Sequence, residues 1–418
     1  MNNTLTQLLS QLISLQGQRI HSVKVDESTQ IIDVYCHRDR RFKVVDPESK
    51  KPCTVNTYVS RTIYDLPISG KCCRIHIQLA QVRTSQGDRR IESCEFVEKG
   101  VRYSKRFCEQ ISGLCRHMPI SVIARHYGLR WETVKNIDKA SLNRLLPPSE
   151  PSKLRGLKRI GVDEVAKAKG HDYMTVVYNM DNGQLIWVEH GRTHHVLESF
   201  LTQLPKETAK GIQAVAMDMG KAYQKAVREN LPNADIVFDR FHIVQQYSQL
   251  IRRERSYEFK KALHRNDKAL IKGSLYLLLK NPDKLSENQT DKLKLLLHAN
   301  RRLNEIYVLK EQLKSIWKAE TYRSMLYRLD AWCQLANATR ILSIQSFATM
   351  LQEHKEGICN FAKYDKLTSA IIEAGNVSIG LLRRRARGIR DTEYFKLKIK
   401  QLSVPEVFST FYPSVKLM

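Results

Sequence analysis

The chain has 418 residues, enough for two or three domains with a sizeable core, and 69 Lys+Arg against 43 Asp+Glu leave a net charge of +26. An excess of that size must sit on the surface, where its commonest partner is nucleic acid. No run of about 18 apolar residues is present, so neither a membrane-spanning helix nor a membrane partner is expected.

The first residues, Met1 to Leu9, place no basic segment ahead of an apolar core and read as an amphipathic helix rather than a secretion signal. Through residue 100 the pattern is that of short strands. Ile20 to Val25 and Ile31 to Val34 read as a hairpin around Asp-Glu-Ser-Thr, and Ile75, Ile77 and Leu79 keep period two. Cys36, Cys53, Cys72, Cys73, Cys94, Cys108 and Cys115 crowd this stretch and its edge. None forms a Cys-x-x-Cys knuckle, so zinc is not expected, and nine cysteines at irregular spacings fit a reducing cytoplasm.

From about residue 104 the rhythm turns helical. Ile120, Ile123 and Ala124 form one apolar face, Gly128 permits a turn, and Val134 and Ile137 anchor a second helix. This is the pattern of a helix-turn-helix, with Arg130, Trp131, Thr133, Lys135 and Asn136 as candidates to face DNA; a plain helical hairpin fits the same spacing. Pro-Pro-Ser-Glu-Pro-Ser at 147–152 is a linker by composition.

Between 158 and about 245 strands and helices alternate, with three strands (Arg159–Glu164, Tyr173–Asn179 and Leu185–Val188) before the first helix, an α/β layout. After Asp239-Arg-Phe-His242 the chain is basic, Leu-rich and helical to about 360, broken near Pro282 and Ser286. A last helix near Ser369–Arg387 stops at Gly388.

Two apolar runs deliver a carboxylate at their ends, Ile160-Gly-Val-Asp163 and Ala214-Val-Ala-Met-Asp218, and a third acid, Glu373, lies on the last helix ahead of Arg383, Arg384 and Arg387. Strand alternation turns Glu164 away from Asp163. Phosphodiester chemistry with two metal ions needs carboxylates that hold the ions about 3.5–4 Å apart. Magnesium takes a few carboxylates and completes its shell with water and substrate. Three separated acids in so basic a chain point to metal-assisted chemistry on a phosphate backbone.

The motifs Ile160-Gly-Val-Asp163-Glu164 with Lys169-Gly-His171, Ala216-Met-Asp218-Met, Asp239-Arg-Phe-His242, and Ile371-Ile-Glu373-Ala-Gly-Asn376 leading to Arg384-Arg-Ala-Arg-Gly-Ile-Arg390 stand in this order. Together they resemble the DDE-type transposases of the bacterial ISL3-like insertion sequences, from about residue 105 to 400. The resemblance implies an RNase H-like catalytic core interrupted by a long all-helical insertion, preceded by a small β-rich region and a helix-turn-helix. The expected divisions are 1–100, 101–150, 151–245, 246–360 and 361–418. It implies that Asp163, Asp218 and Glu373 hold two Mg²⁺ or Mn²⁺ ions and that Asp239 and His242 lie beside them, where a buried structural pair fits the same residues. Helical spacing puts Arg384 and Arg387 on the stripe that follows Glu373, so that with Arg383 they are candidates to contact DNA; a solvated charged face fits the same run. The implied partners are double-stranded DNA, both element ends and target, and further copies of the chain in a dimer or larger assembly. The family's paired zinc knuckles are missing: Cys36 stands alone, and no cysteine falls near Arg83-Thr-Ser-Gln-Gly. The rival expectations are a decayed or repurposed copy that only binds DNA, and an RNase H-like nuclease that cuts without joining.

Overall fold

The period-two run at Ile75, Ile77 and Leu79 belongs to a long strand whose alternate residues are buried. The computed structural model describes residues 9–10, 13, 15–83, 87–146, 150–386 and 389–404, which fall in two units divided at Pro147/Pro148. Most of the expected N-terminal helix, part of the 147–152 linker, and Arg387 and Gly388 lie outside the described residues.

The first unit carries a sheet of β1 (Gln18–Asp26), β2 (Ile31–Arg38), β3 (Thr54–Ile68), β4 (Lys71–Arg83) and β5 (Arg89–Ile91). The order is β1-β2-β4-β3, with β5 on β4. The expected hairpin is β1–β2. Its turn is held by Asp26, whose Oδ1 accepts from the Ser28 amide at 2.9 Å and hydroxyl at 2.6 Å, an Asx-type turn. Cys36 and Cys73 are packed among Val34, Ile63 and Ile75, and burial pushes both thiols up to about 12. Three helices follow: α1 (Lys105–His117), α2 (Ile120–His126) and α3 (Trp131–Leu145). Ile123, Ala124, Val134 and Ile137 bury their shared face together with Phe107 and Ile111, and Gly128 takes φ +64° in the turn before α3. The left-handed turn is why a glycine stands there. Asp65 of β3 ties the helices to the sheet by accepting from Ser104 Oγ at 2.5 Å and Arg106 Nε at 2.8 Å.

In the second unit β6 (Arg159–Ala168), β7 (Asp172–Asn179), β8 (Leu185–His190), β9 (Ala214–Met217) and β10 (Asp235–Phe238) form a mixed sheet of order β10-β9-β6-β7-β8. β6, β7 and β8 pair antiparallel, whereas β6, β9 and β10 run parallel. The β6–β7 turn spans residues 169–171 and puts Gly170 (φ +87°) and His171 (φ +66°) in the left-handed region. The helices are α4 (His194–Leu201), α5 (Lys206–Gly211), α6 (Lys221–Asn230), α7 (Arg240–Lys261), α8 (Arg265–Ile271), α9 (Leu275–Leu279), α10 (Glu287–Ala299), α11 (Arg301–Ile316), α12 (Tyr322–Ala338), α13 (Leu342–Glu353), α14 (Lys355–Lys363), α15 (Ala370–Ala386) and α16 (Thr392–Leu402). The break expected near Pro282 and Ser286 is a 3₁₀ turn and then a capping box, in which Ser286 and Gln289 satisfy each other's backbone at the start of α10.

Alternation along the strands sorts the core into two faces. Ile160, Val162, Val215, Met217 and Val237 share one cluster with α4, α6 and the helices between α7 and α14. Val165, Val176, Tyr178 and Ala216 share the other with Ile372, Ile379 and Leu382 of α15 and Phe395 of α16. The long helical stretch therefore has no separate core. It packs on one sheet face around Tyr247, Trp332 and Phe347, whose rings meet edge-on at 5.1–6.0 Å.

Candidate active site

Residue alternation decides which acids can meet. Gly161 and Val165 turn toward α15, so Asp163 between them does too; on β9, Ala216 faces α15 and Asp218 follows it two residues on. Glu164 points to the opposite face, as its spacing implies. The strand expected to end at Glu164 continues as β6 to Ala168. The reason is that β6 has two partners of different length. Its parallel pairing with β9 ends at Gly161, while the antiparallel hairpin with β7 holds it out to Ala168. Asp163 thus lies inside a strand yet just beyond the end of its neighbour. Asp218 directly follows β9 and Asp239 directly follows β10, whose registers pair Ala216 with Val237 and Met217 with Phe238. Three acids therefore stand at the same level across three parallel strands.

Helix α15 supplies the fourth. Asp163, Asp218, Asp239, His242 and Glu373 all line one cavity of about 380 Å³. Each carboxylate is oriented by the protein. Asp163 accepts from the Glu164 amide at 2.8 Å and from Asn376 Nδ2 at 2.6 Å. The Gly220 amide donates to Asp218 Oδ1 at 2.8 Å. Asp239 caps α7 through the Phe241 amide at 2.9 Å, and His242 Nε2 lies 3.7 Å from its other oxygen. Ser369 Oγ lies 2.9 Å from Asp239 Oδ1 and 2.8 Å from Glu373 Oε1. A hydroxyl carries one proton, so Ser369 donates to only one of these carboxylates at a time.

The electrostatics leave room for a cation. Among the described residues no lysine or arginine forms an ion pair with Asp163, Asp218 or Glu373. Burial, then the charge of Asp218, raises the Asp163 carboxyl above its ordinary value, against the opposing pull of the Glu164 amide and His242. Asn376 Oδ1 is buried beside the cavity with no hydrogen-bond partner. The carboxylates of Asp163, Asp218 and Glu373 and this orphaned buried oxygen form an all-oxygen donor set of the chemistry a hard divalent ion takes.

Asn376 and Ser369 join the site without having been expected there. Both follow from helical spacing, since Asn376 is three residues after Glu373 on the same face and Ser369 four before it. The other expected residues are dispersed. Arg383 Nη1 donates to the Ala166 carbonyl at 2.6 Å and so fastens α15 to β6, Arg384 is exposed, and Arg387 is outside the described residues. In the first unit Arg130 precedes α3, whose first residue Trp131 is 50% exposed. Asn136 is exposed, Thr133 half-buried, and Lys135 Nζ sits 5.8 Å from the Trp131 ring centre.

Comparison with known proteins gives the family. Residues 160–399 match a family described as transposase, and residues 92–141 match the helix-turn-helix domain of transposase family ISL3. The transposase for insertion sequence element IS1001 of Bordetella parapertussis is 31% identical over 397 residues, 94% of this chain and 97% of that protein. The transposase for insertion sequence element IS1557 of Mycobacterium tuberculosis is 29% identical over 259 residues, 57% of this chain and 58% of that protein. With residues 160–399, the helix-turn-helix region and nearly its whole length matched, the chain belongs to the ISL3 family of transposases, DNA-binding enzymes that cut and transfer DNA.

Proposed function

We propose that this transposase binds the terminal inverted repeats of its own insertion sequence, cuts DNA at those ends with two Mg²⁺ or Mn²⁺ ions, and joins the freed 3′-hydroxyls to target DNA. The observation that carries this reading is the convergence of Asp163, Asp218 and Glu373 on one cavity from two neighbouring strands and a helix more than 150 residues downstream. In this reading the second unit is an RNase H-like core, interrupted by residues 246–360 and completed by the segment that follows from residue 361. The parallel strands that bring Asp163 and Asp218 side by side support it.

Bound ions would activate the attacking oxygen and stabilise the leaving one. The residues themselves do the rest. The Glu164 amide and Asn376 hold Asp163, the Gly220 amide leaves the second oxygen of Asp218 free, and Ser369 orients Glu373. His242 stands at the cavity wall, where its imidazole can meet a phosphate oxygen. Arg130, Trp131, Thr133, Lys135 and Asn136 present α3 to the major groove, and the exposed Arg384 adds positive charge beyond Glu373 on α15. Bringing two ends together requires a dimer or larger assembly, working in the cytoplasm where DNA is accessible.

The test is a nicking assay on element-end DNA with Mg²⁺ or Mn²⁺. The native chain is expected to cut at the repeat boundary, and Asp163→Asn to bind the same DNA without cutting it. Native protein that binds but never cuts would favour the decayed copy. Cut ends that never appear as joined products would favour the simple nuclease.

A further inference from the structure

We propose a second metal site, for a divalent transition ion of the Zn²⁺ class, built from His194, His195 and Glu198 at the start of α4. It is independent of the reading of the acid cavity, which none of these residues lines. One nitrogen from each histidine and one Glu198 oxygen lie within 4.8 Å of one another. Glu198 Oε2 is 3.0 Å from His195 Nδ1 and 3.6 Å from His194 Nδ1. Ligands bound at roughly 2.0–2.1 Å in a tetrahedron are separated by about 3.3 Å, so these spacings straddle the edge of a zinc-sized tetrahedron.

Such distances also occur in plain hydrogen bonds, and the second nitrogen of His194 separates the two cases. Its Nε2 lies 2.8 Å from Glu229 Oε2, on α6. A metal-binding histidine characteristically gives its other N–H to a carboxylate, which fixes the tautomer and turns the free lone pair to the ion. Glu229 does this for His194, leaving Nδ1 aimed at the cluster. Two nitrogens and one carboxylate oxygen suit zinc better than magnesium, which prefers oxygen alone. The fourth position is open: the His195 side chain is 87% exposed, so water can complete the shell. A dication in the first turn of a helix works against the helix dipole. The charges of Glu198 and Glu229 oppose that penalty, although Lys225, 3.8 Å from Glu229, draws on one of them.

The experiment uses the full-length chain, stripped of metal and titrated with Zn²⁺ or Co²⁺ alone, beside His195→Ala/Glu198→Gln and Glu229→Gln. The native chain is expected to bind one more ion than the double variant and to show the intense visible absorption of tetrahedral Co²⁺, which the double variant lacks. Glu229→Gln should keep that stoichiometry and lose affinity by about 10–100-fold. Far-UV circular dichroism identical to native shows that the variants are folded, as expected for surface side chains. Equal ion counts for native and double variant, or six-coordinate Co²⁺ spectra in both, overturn the proposal and leave a hydrogen-bonded histidine–glutamate cluster.

Discussion

At Asp163, burial and the charge of Asp218 act together, and both favour the protonated carboxyl. A group whose pKa is higher folded than unfolded makes the fold lose stability as pH rises from the ordinary carboxylate range through the raised value. Above that window the full penalty is present. Asp163→Asn removes the penalty, so metal-free variant protein should melt at a higher temperature than native at pH 7, with the gap closing as pH falls below the ordinary carboxylate range. Differential scanning calorimetry against pH checks this, and an unshifted or lower melting temperature at pH 7 contradicts it. Asn376 acts through its neighbour. Removing the donor 2.6 Å from Asp163 with Asn376→Ala should lower the cleavage rate by about 10–100-fold, the usual effect of losing a partner that orients a metal ligand. End binding should stay unchanged, and a gel-shift run beside the cleavage assay separates the two effects.

At the scale of the element, α15 depends on two glycines in opposite ways. In isolation both look like weak points, since glycine in a helix interior costs about 1 kcal/mol relative to alanine. At Gly375 an added Cβ would fall within 3.0 Å of Tyr178 ring atoms, whereas at Gly380 it would meet nothing within 4 Å. Gly375 is therefore the close-approach point that seats the helix on β7, and Gly380 is dispensable. Gly375→Ala should destabilise the protein by about 1–3 kcal/mol through overpacking, while Gly380→Ala should stabilise it by up to about 1 kcal/mol. Urea melts of the two variants decide this, and equal shifts would contradict it. A second device sets where α15 begins. Asn360 Nδ2 donates to the Ile236 carbonyl at 3.0 Å and Tyr364 Oη to the Gln213 carbonyl at 2.8 Å. These bonds pin the end of α14 to the β9–β10 edge, just before the chain turns to Ser369 and Glu373. The strands and helices that carry the acids were legible because buried runs and helical spacing are local. The seating of α15 was not, because a glycine that permits contact and one that merely weakens a helix are the same letter until the facing residue is known. The end of β6 was missed for a related reason, since a strand's length is set by its partners.

Across the whole molecule, the +26 charge and the helix-turn-helix make DNA affinity the dominant physical property. Each phosphate neutralised releases condensed counterions, so the logarithm of end affinity should fall linearly with the logarithm of salt concentration. If Arg130 contacts a phosphate, Arg130→Ala lowers the magnitude of that slope by about 1 and weakens all sequences alike. Fluorescence anisotropy across a salt series reads both quantities, and an unchanged slope removes Arg130 from the phosphate contacts. The residues that share the candidate cavity were legible as four ordered motifs, because carboxylates that end apolar runs are visible without coordinates. Their common level across three strands, and the roles of Ser369 and Asn376, needed the register. In the proposed function Asp163, Asp218 and Glu373 act as one metal-dependent centre. Its most direct test compares cleavage of element-end DNA by native protein, Asp163→Asn, Asp218→Asn and Glu373→Gln, with end binding measured on the same preparations. Each substitution alone is expected to abolish metal-dependent cutting while binding persists; native-like cutting by any one of the three would rule out a shared centre.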